Sequence, residues 1–286
     1  MTVAIRFLAA ASVVLLIALA AFALIGFYIR RHGLFFPEPY PNGVWETTRF
    51  DIVPVNHWFQ AADGVRLHGW SFEASDDDAP LMIWFHGNAG NITHRAPIAH
   101  ALATKGISVF LFDYRGFGMS HGHPSEKSVF LDATAAREYA GRYLAKPSTP
   151  LVYYGESIGG PYAARVSRDR PPACLIIENS FPSLQAMARA HFGPLGVLTP
   201  EGLSTTKWLN AAGSPVLVLH GRRDQVVPFH LGMQLYDGLE TTKTRFISDD
   251  AGHCEIPWLD PDRYLDVVTG FIRTHTRGTS NRTGPE

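Results

Sequence analysis

The sequence predicts an α/β domain built around a largely parallel sheet. Short, continuous apolar runs such as Leu81–Phe85 and Val216–Leu219 alternate along the chain with longer segments of helical periodicity. Continuous apolar runs are typical of strands buried on both faces, as the strands of parallel sheets are. The composition, 46% hydrophobic and 18% charged over 286 residues, fits a globular protein and excludes a disordered or collagen-like chain.

The same two patterns predict the individual strands and helices. Asp51–Gln60 and Val65–Phe72 are expected to form two early strands, because Ala62-Asp63-Gly64 between them is a hairpin turn signal. Further strands are predicted at Leu81–Phe85, Ile107–Phe112, Leu151–Tyr154, Cys174–Ile177, Val216–Leu219 and the less apolar Thr244–Ile247. Helical patterns lie between them at Ile92–Thr104, Ser125–Leu144, Gly159–Arg168, Phe229–Leu239 and Asp262–Thr274. Ser125 followed by Ser128 makes an incomplete capping box before the second of these helices.

Composition also sets the predicted domain boundaries. Residues 30–49 are a linker marked by prolines and Gly43, and residues 50–275 form the α/β domain. Residues 180–213 interrupt the alternation of strands and helices with Pro194, Gly196 and Pro200, so we expect a short lid insertion over the sheet. Residues 1–6 form an N-terminal tail, and the small, polar residues 276–286 are expected to be disordered.

Residues 7–29 predict a single-pass transmembrane anchor. They carry no charge and would make a helix of about 35 Å, enough to cross a hydrocarbon core of roughly 30 Å. A cleaved secretory signal is the alternative, with small-residue sites at 18–20 or 21–23, but the apolar core of a signal is typically only about 7–15 residues long. Arg30 and Arg31 outnumber Arg6, which favours keeping the following domain in the cytoplasm by a single charge.

Charge and cysteine content exclude other function classes. Lys and Arg number 25 against 26 Asp and Glu, so no excess of positive charge is available to bind nucleic acid. Cys174 and Cys254 are expected to be free thiols. His121 and His123 offer two metal ligands without a third nearby in the sequence, and we expect neither a metal nor a cofactor.

The segment Gly155-Glu156-Ser157-Ile158-Gly159 carries the strongest chemical signal. It directly follows a predicted buried strand and opens a helical stretch, which is the context that a serine nucleophile on a sharp strand-to-helix turn requires. Such a turn exposes the serine hydroxyl and brings the Ile158 N–H close to developing negative charge. Alone, the pentapeptide also fits a glycine-rich helix start capped by serine.

A serine nucleophile needs a base to take its proton and a carboxylate to orient that base. Asp224 lies just beyond the apolar run Val216–Leu219, and His253 follows the next short strand. Ser157, Asp224 and His253 therefore follow one another along the chain, each at the carboxyl end of a predicted strand. Glu178, just past another strand, is the rival for the acid.

A loop after the third predicted strand completes the candidate site. His-Gly-Asn-Ala-Gly-Asn, residues 86–91, follows Leu81–Phe85 and contains two glycines that let the backbone turn sharply. We expect the Asn88 backbone N–H to point at the substrate carbonyl oxygen beside that of Ile158, as the second donor of an oxyanion hole. An ordinary strand-to-helix loop is the alternative.

These motifs, with Asp-Tyr-Arg-Gly-Phe-Gly at 113–118 and His-Gly-Arg-Arg-Asp-Gln-Val-Val-Pro at 220–228, resemble the α/β-hydrolase superfamily. More narrowly, the chain is similar to membrane-anchored serine hydrolases of its domain-containing branch, some of which are acyl-protein thioesterases. The resemblance covers about residues 50–274 and implies an α/β-hydrolase fold and no cofactor. It implies that Ser157 is the nucleophile, Asp224 the acid and His253 the base, with Asn88 and Ile158 as backbone donors.

The resulting expectation is a membrane-anchored serine hydrolase acting on ester or thioester bonds. The substrate would be a small-molecule or lipid-like acyl compound or an acylated protein, with Leu195, Val197 and Leu198 of the insertion suggesting a hydrophobic acyl pocket. Two alternatives stay open: a serine peptidase of the same fold, and a catalytically silent, membrane-tethered binding module.

Overall fold

The computed structural model describes residues 5–18, 20, 34–199 and 202–276. Its strands are β1 (Phe36–Pro37), β2 (Val55–Gln60), β3 (Arg66–Phe72), β4 (Leu81–Phe85), β5 (Ala89–Gly90), β6 (Ser108–Asp113), β7 (Leu151–Glu156), β8 (Cys174–Glu178), β9 (Val216–Gly221) and β10 (Lys243–Ser248). Its helices are α1 (described over residues 5–18), α2 (Ala96–Thr104), α3 (Glu126–Tyr139), α4 (Gly159–Asp169), α5 (Leu184–Phe192), α6 (Thr205–Ala212), α7 (Phe229–Asp237), α8 (Ile256–Leu259) and α9 (Pro261–Thr276).

Eight of the strands form one sheet in the order β10-β9-β8-β7-β4-β6-β3-β2. Every neighbouring pair from β10 to β6 is parallel, whereas β3 pairs antiparallel with both β2 and β6. The sheet is therefore mostly parallel, as predicted, and the reversed strand follows from the short hairpin turn between β2 and β3. β7, which ends next to Ser157, lies near the centre of the sheet.

Alternation along the strands divides the core between the two faces of the sheet. In β4, Leu81, Ile83 and Phe85 pack into one cluster of buried residues, while Met82 and Trp84 pack into the other. The first cluster also holds apolar residues of α3, α4 and α7, and the second holds those of α2 and α9. The central strands β4, β6, β7, β8 and β9 thus have apolar cover on both faces, which explains their continuous apolar runs in the sequence.

Two of the predicted helices are divided in the structure. Residues 92–104 begin with a 3-10 turn at Ile92–His94, and α2 starts only at Ala96, where Pro97 fits the first turn because its missing N–H needs no acceptor there. The stretch predicted as one helix up to Leu144 ends as α3 at Tyr139 and continues as a π-helical turn at Ala140–Leu144.

The capping box before α3 is complete, so the prediction of an incomplete one was wrong. The Ser125 hydroxyl accepts a hydrogen bond from the Ser128 backbone N–H at 3.2 Å, and the Ser128 hydroxyl accepts from the Ser125 N–H at 2.9 Å. A serine at the third helical position therefore takes the role that glutamate or glutamine usually fills.

Residues 180–213 are largely helical. They comprise α5, a 3-10 segment at Gly193–Leu198 and α6, with residues 200 and 201 outside the described part. α6 packs on α4, the helix that opens after Ser157. The insertion thus rests on the helix that begins directly after the turn of the candidate nucleophile.

Within residues 5–18, 20, 34–199 and 202–276, none of the helices combines the length and the apolar character needed to span a bilayer. The segment predicted as an anchor, 7–29, lies partly outside the described residues, which omit 19 and 21–33.

The complete capping box predicts a measurable stability effect. We expect Ser125→Ala to lower the free energy of unfolding by about 1 kcal/mol, because an N-terminal amide of α3 loses its acceptor. Urea denaturation measures the change. The control is Ser75→Ala, at an exposed loop position, which should change the free energy of unfolding by less than about 0.5 kcal/mol. Equal effects of the two substitutions would show that the cap contributes nothing.

Candidate active site

Ser157 occupies a strained turn between β7 and α4. Its φ is +53°, in the left-handed region that residues with a side chain rarely adopt. The surrounding glycines permit this turn: a Cβ on Gly155 would lie 2.6 Å from the Cα of Gly160, and a Cβ on Gly159 would overlap the Phe85 carbonyl group. Gly155 and Gly159 are thus required by close backbone contact, and together they hold Ser157 at the edge of the sheet.

The structure brings the three predicted polar residues together. The hydroxyl oxygen of Ser157 lies 3.0 Å from Nε2 of His253, and Nδ1 of His253 lies 2.8 Å from Oδ2 of Asp224. Ser157 and Asp224 are each 6% exposed, while His253 is partly exposed. A continuous hydrogen-bonded chain therefore joins hydroxyl, imidazole and carboxylate.

Backbone and side-chain donors fix the Asp224 carboxylate. Its Oδ1 accepts from the N–H groups of Val226 and Val227, each at 2.8 Å, and its Oδ2 accepts from Nδ2 of Asn179 at 2.6 Å. Burial raises the pKa of Asp224, but the hydrogen bonds from His253, Asn179 and Val227 outweigh it and hold that pKa below its usual value. Asp224 is thus an ionised carboxylate aimed at Nδ1 of His253.

Asn88 lies on the loop between β4 and β5, and Ile158 is the N-cap of α4. The two loops are adjacent, because a Cβ on Gly159 would lie 2.7 Å from the His86 carbonyl oxygen. The first amides of a helix have no acceptor within it, so the Ile158 N–H is suited to a ligand. The Asn88 carbonyl accepts from the Phe36 N–H at 2.7 Å, which places β1 against this loop.

A buried ion pair joins the two loops. Arg95 donates from Nε to Oε2 of Glu156 at 3.0 Å and from Nη2 to Oε1 at 2.5 Å, and its Nη1 donates to the Ala89 carbonyl at 2.9 Å. Burial raises the pKa of Glu156, but the Arg95 guanidinium outweighs it and lowers that pKa to about 2. Glu156, the residue before Ser157, is therefore a carboxylate, and through Arg95 it is tied to the loop of Asn88.

Glu178 lies beneath the site and has a different environment. It is 1% exposed, and its Oε2 accepts from the Tyr154 hydroxyl at 2.5 Å, which in turn accepts from the Tyr264 hydroxyl at 2.9 Å. Burial, reinforced by the nearby Glu156 carboxylate, raises the pKa of Glu178 to about 8 despite the hydrogen bond from Tyr154. At neutral pH its side chain is therefore mostly uncharged.

The loop that carries His253 is held by its own residues. Glu255 accepts from the Gly252 N–H at 2.8 Å through Oε2, and Cys254 adopts a left-handed φ of +56°. Both cysteines are free thiols, as predicted. Burial raises the pKa of Cys254 well above its usual value, so this thiol is neutral and is not a rival nucleophile.

Three residues of the site had not been identified from the sequence: Asn179, Arg95 and Glu156. Asn179 directly follows β8 and has a φ of +46°, a conformation that asparagine tolerates better than most residues. Its position at the end of a buried strand was the available signal. Nothing in the spacing of Arg95 and Glu156, 61 positions apart, indicated that they would pair.

A family model and several known proteins are similar to this chain. A family model described as serine aminopeptidase, S33, matches residues 77–190. An uncharacterized protein of Mycobacterium tuberculosis, Rv2307c, is 32% identical over 269 residues, covering 91% of this chain and 94% of that protein. The α/β hydrolase domain-containing protein WAV2 of Arabidopsis thaliana is 32% identical over 212 residues, covering 65% of this chain and 67% of that protein.

Among solved structures, an esterase of Pyrococcus furiosus, Pf2001, is similar, with a TM-score of 0.69 and 20% identity, covering 85% of this chain and 98% of that one. At this identity the likeness concerns the fold. The sheet order, the strained serine turn and the relatives at 32% identity all indicate the same family. The chain therefore belongs to the α/β-hydrolase superfamily.

Proposed function

We propose that this protein is a serine hydrolase that cleaves carboxylic ester or thioester bonds through an acyl-enzyme intermediate on Ser157. One observation carries the proposal: the hydroxyl of Ser157 lies 3.0 Å from a His253 imidazole whose other nitrogen lies 2.8 Å from Asp224. Both distances are within the range in which proton transfer and orientation take place.

The proposed reaction has two halves. Nε2 of His253 takes the proton of Ser157 as its oxygen attacks the substrate carbonyl, and the imidazolium then protonates the leaving alcohol or thiol. The acyl group remains on Ser157 as an ester. Water, deprotonated by the same nitrogen, attacks this ester and releases the acid, and His253 returns the proton to Ser157. Asp224 stabilises the imidazolium in both halves without itself taking the proton.

The backbone amides of Asn88 and Ile158 are the proposed donors to the oxyanion in each tetrahedral intermediate. Their loops are adjacent, and the Arg95–Glu156 pair links them. Because donors that are fixed before charge develops need no reorganisation during the reaction, each is worth roughly 10²–10³ in rate.

Asp224 suits the role of acid better than Glu178. Asp224 is ionised and hydrogen-bonded to Nδ1 of His253, whereas Glu178 is neutral and bonded to Tyr154. A neutral carboxyl group cannot stabilise an imidazolium as a carboxylate does.

A lipophilic substrate is supported by exposed apolar side chains on the insertion and on the Asp224 loop: Phe192, Leu195, Val197, Leu198 and Val226. Val226 belongs to the Asp224 loop, and its carbonyl lies 3.1 Å from Nε2 of His191 on α5, which ties the insertion to that loop. Leu195, Val197 and Leu198, which the sequence suggested as part of a hydrophobic acyl pocket, are 54%, 54% and 46% exposed and lie at the surface. A lipid-like acyl compound or an acylated protein would meet them at the surface.

Membrane anchoring through the N-terminal segment is part of the proposal. The described part of α1 carries apolar side chains that are largely exposed, including Phe7 at 78% and Leu8 at 69%. Exposed apolar surface of this kind is unfavourable in water and favours a bilayer.

A serine peptidase is the second candidate, because the matching family model is described as a serine aminopeptidase. An aminopeptidase needs an anionic group for the free α-ammonium of its substrate. Four carboxyl groups of the site loops are already engaged: Asp224 by His253, Glu156 by Arg95, Glu178 by Tyr154 and Glu255 by the Gly252 N–H. Turnover of a chain-length series of esters and thioesters, compared with aminoacyl arylamides, distinguishes the two candidates.

We expect Ser157→Ala to lower kcat on the preferred ester by about 10⁶-fold, because the nucleophile is lost. The same change should abolish labelling by a fluorophosphonate probe. Ser167→Ala is the matched control: Ser167 is a buried serine of α4 whose hydroxyl donates to the Ala164 carbonyl, and labelling should persist. An unlabelled native protein would identify a silent binding module, and activity retained in Ser157→Ala would exclude this mechanism.

Asp224→Asn should lower kcat by up to about 10⁴-fold, since an amide cannot stabilise the imidazolium. Glu178→Gln is the matched comparison, because it makes the same carboxyl-to-amide change in the rival acid. We expect its kcat to remain within about threefold of the native value, because a neutral carboxyl group and an amide have similar charge. Steady-state kinetics on one ester measures both, and a larger loss in Glu178→Gln would reverse the assignment.

The raised pKa of Glu178 predicts a pH-dependent stability difference. The folded protein keeps this proton up to about pH 8, whereas the unfolded chain loses it near the ordinary value of 4.5. The native free energy of unfolding therefore falls, through this group, by up to about 1.4 kcal/mol per pH unit between these values. Glu178→Gln removes that contribution, so its stability relative to the native protein should rise from pH 5 to pH 8 in urea denaturation. A constant difference would show that Glu178 is ionised in the fold.

A further inference from the structure

The segment that follows the proposed anchor lies against the candidate oxyanion loop, residues 86–91. β1 pairs in parallel with β5, with Phe36 opposite Ala89 and Pro37 opposite Gly90. The Phe36 N–H donates to the Asn88 carbonyl at 2.7 Å, and the Glu38 N–H donates to the Gly90 carbonyl at 3.2 Å. Two carbonyl groups of the oxyanion loop are thus held by backbone donors from outside the main sheet.

A buried side chain strengthens this attachment. Asn91, which is 0% exposed, donates through Nδ2 to the carbonyls of Glu38 at 3.0 Å and Asn42 at 2.9 Å. Its Oδ1 accepts from the Thr93 N–H at 3.0 Å, and the Thr93 hydroxyl accepts from the Val44 N–H at 3.1 Å. The segment is therefore fixed to the far end of the oxyanion loop as well.

The other side of the segment is also fixed. Glu38 and Tyr40 both form hydrogen bonds with Gly118. The Gly118 N–H donates to the Glu38 carbonyl at 3.0 Å, and the Tyr40 N–H donates to the Gly118 carbonyl at 2.7 Å.

The ring of Phe35 is also buried. Phe35 is 7% exposed and packs its ring 6.4 Å from those of Phe117 and Tyr162, and Tyr162 belongs to α4. The linker residues 35–44, which we call the clamp segment, are therefore part of the folded domain.

The oxyanion loop needs such support because it lies beyond the end of β4 and contains two glycines. Gly90 has a left-handed φ of +78°, and Gly87 lacks a side chain that would restrict its backbone. Arg95 holds the Ala89 carbonyl, but the Asn88 carbonyl, on the same residue as the proposed donor N–H, is held by Phe36.

We propose that the clamp segment is a positioning element of the active site. The Phe36 N–H holds the Asn88 carbonyl and thereby fixes Asn88 so that the Asn88 N–H points into the oxyanion hole. This inference rests on the proposed serine hydrolase function. Phe36 and Asn91 act through Asn88 and do not contact the substrate. Because a displacement of about 1 Å in a catalytic group costs about 10²-fold in rate, loosening the clamp segment lowers kcat.

The first test removes a single hydrogen-bond donor. Phe36→Pro deletes the N–H that holds Asn88 while keeping an extended backbone, and Phe36→Ala removes the ring but keeps the N–H. We expect Phe36→Pro to lower kcat about 10- to 100-fold with KM changed less than about threefold, because ground-state binding does not use the oxyanion donor. Phe36→Ala, which keeps the N–H, should lower kcat less than Phe36→Pro does.

The second test displaces the clamp segment by volume. Gly43 has a φ of +101°, and a Cβ there would overlap the Thr93 hydroxyl and lie 2.9 Å from Oδ1 of Asn91. Gly64 has a similar φ of +83° with no atom within 4 Å of such a Cβ. Gly43→Ala should therefore lower kcat, whereas Gly64→Ala, with comparable backbone strain, should not.

Hydrogen exchange tests whether the clamp segment holds the oxyanion loop, independently of any effect on kcat. Amides of residues 87–91 should exchange faster in Phe36→Pro than in Phe36→Ala, with thermal melting confirming that both variants are folded. Faster exchange together with a kcat loss supports the inference. Equal exchange rates in the two variants would show that the Phe36 N–H does not hold the oxyanion loop. Faster exchange in Phe36→Pro with a native kcat would show that the clamp segment holds this loop without affecting catalysis. A native protein that neither turns over esters nor reacts with a fluorophosphonate overturns the proposed function, and the catalytic role with it, whatever the exchange shows.

Discussion

The buried ion pair between Arg95 and Glu156 is the interaction on which the geometry of the site depends. Both side chains are mostly withdrawn from water, 14% and 7% exposed, so their charges would be costly without each other. The pair offsets this cost with two hydrogen bonds, and Glu156 accepts a third from the Trp84 indole at 3.2 Å. A buried pair of this kind often adds little net stability, but it fixes one arrangement of the chain. Here it joins the residue before the nucleophile to the loop that carries the proposed oxyanion donor.

The sheet supplies the rest of that geometry. β7, β9 and β10 run parallel to one another in the same sheet, so Ser157, Asp224 and the loop of His253 all emerge at the same edge. This edge is where open α/β sheets bind their ligands. The neighbouring carboxyl groups differ sharply in charge, because Glu156 has a guanidinium beside it, whereas burial and the nearby Glu156 carboxylate raise the pKa of Glu178. Glu156 is ionised but paired with Arg95, and Glu178 is neutral, so Asp224 is the carboxylate that faces the imidazole.

Most of this organisation could be predicted from the sequence, because it depends on local patterns. Apolar runs gave the eight strands of the main sheet to within a few residues, and turns after strands located Ser157, Asp224 and His253. Contacts that depend on which segments meet in space could not be read from the sequence. Asn179 was missed because an asparagine after a strand is usually a turn residue, and Arg95 because its partner is 61 positions away. The linker prediction missed β1, since two residues of pairing leave no periodic signal.

The attachment of the clamp segment changes where the folded domain begins. Judged from composition, the domain starts near residue 50, and a recombinant protein truncated there would retain every residue of the hydrogen-bonded chain from Ser157 to Asp224. It would nevertheless lack the backbone that covers Asn91 and accepts from its amide, and the space of the Phe35 ring beside Tyr162 would be vacant. A shortened protein intended for crystallisation or assay should therefore start at or before Leu34, and the inactivity of a shorter one would be an artefact of the cloning boundary.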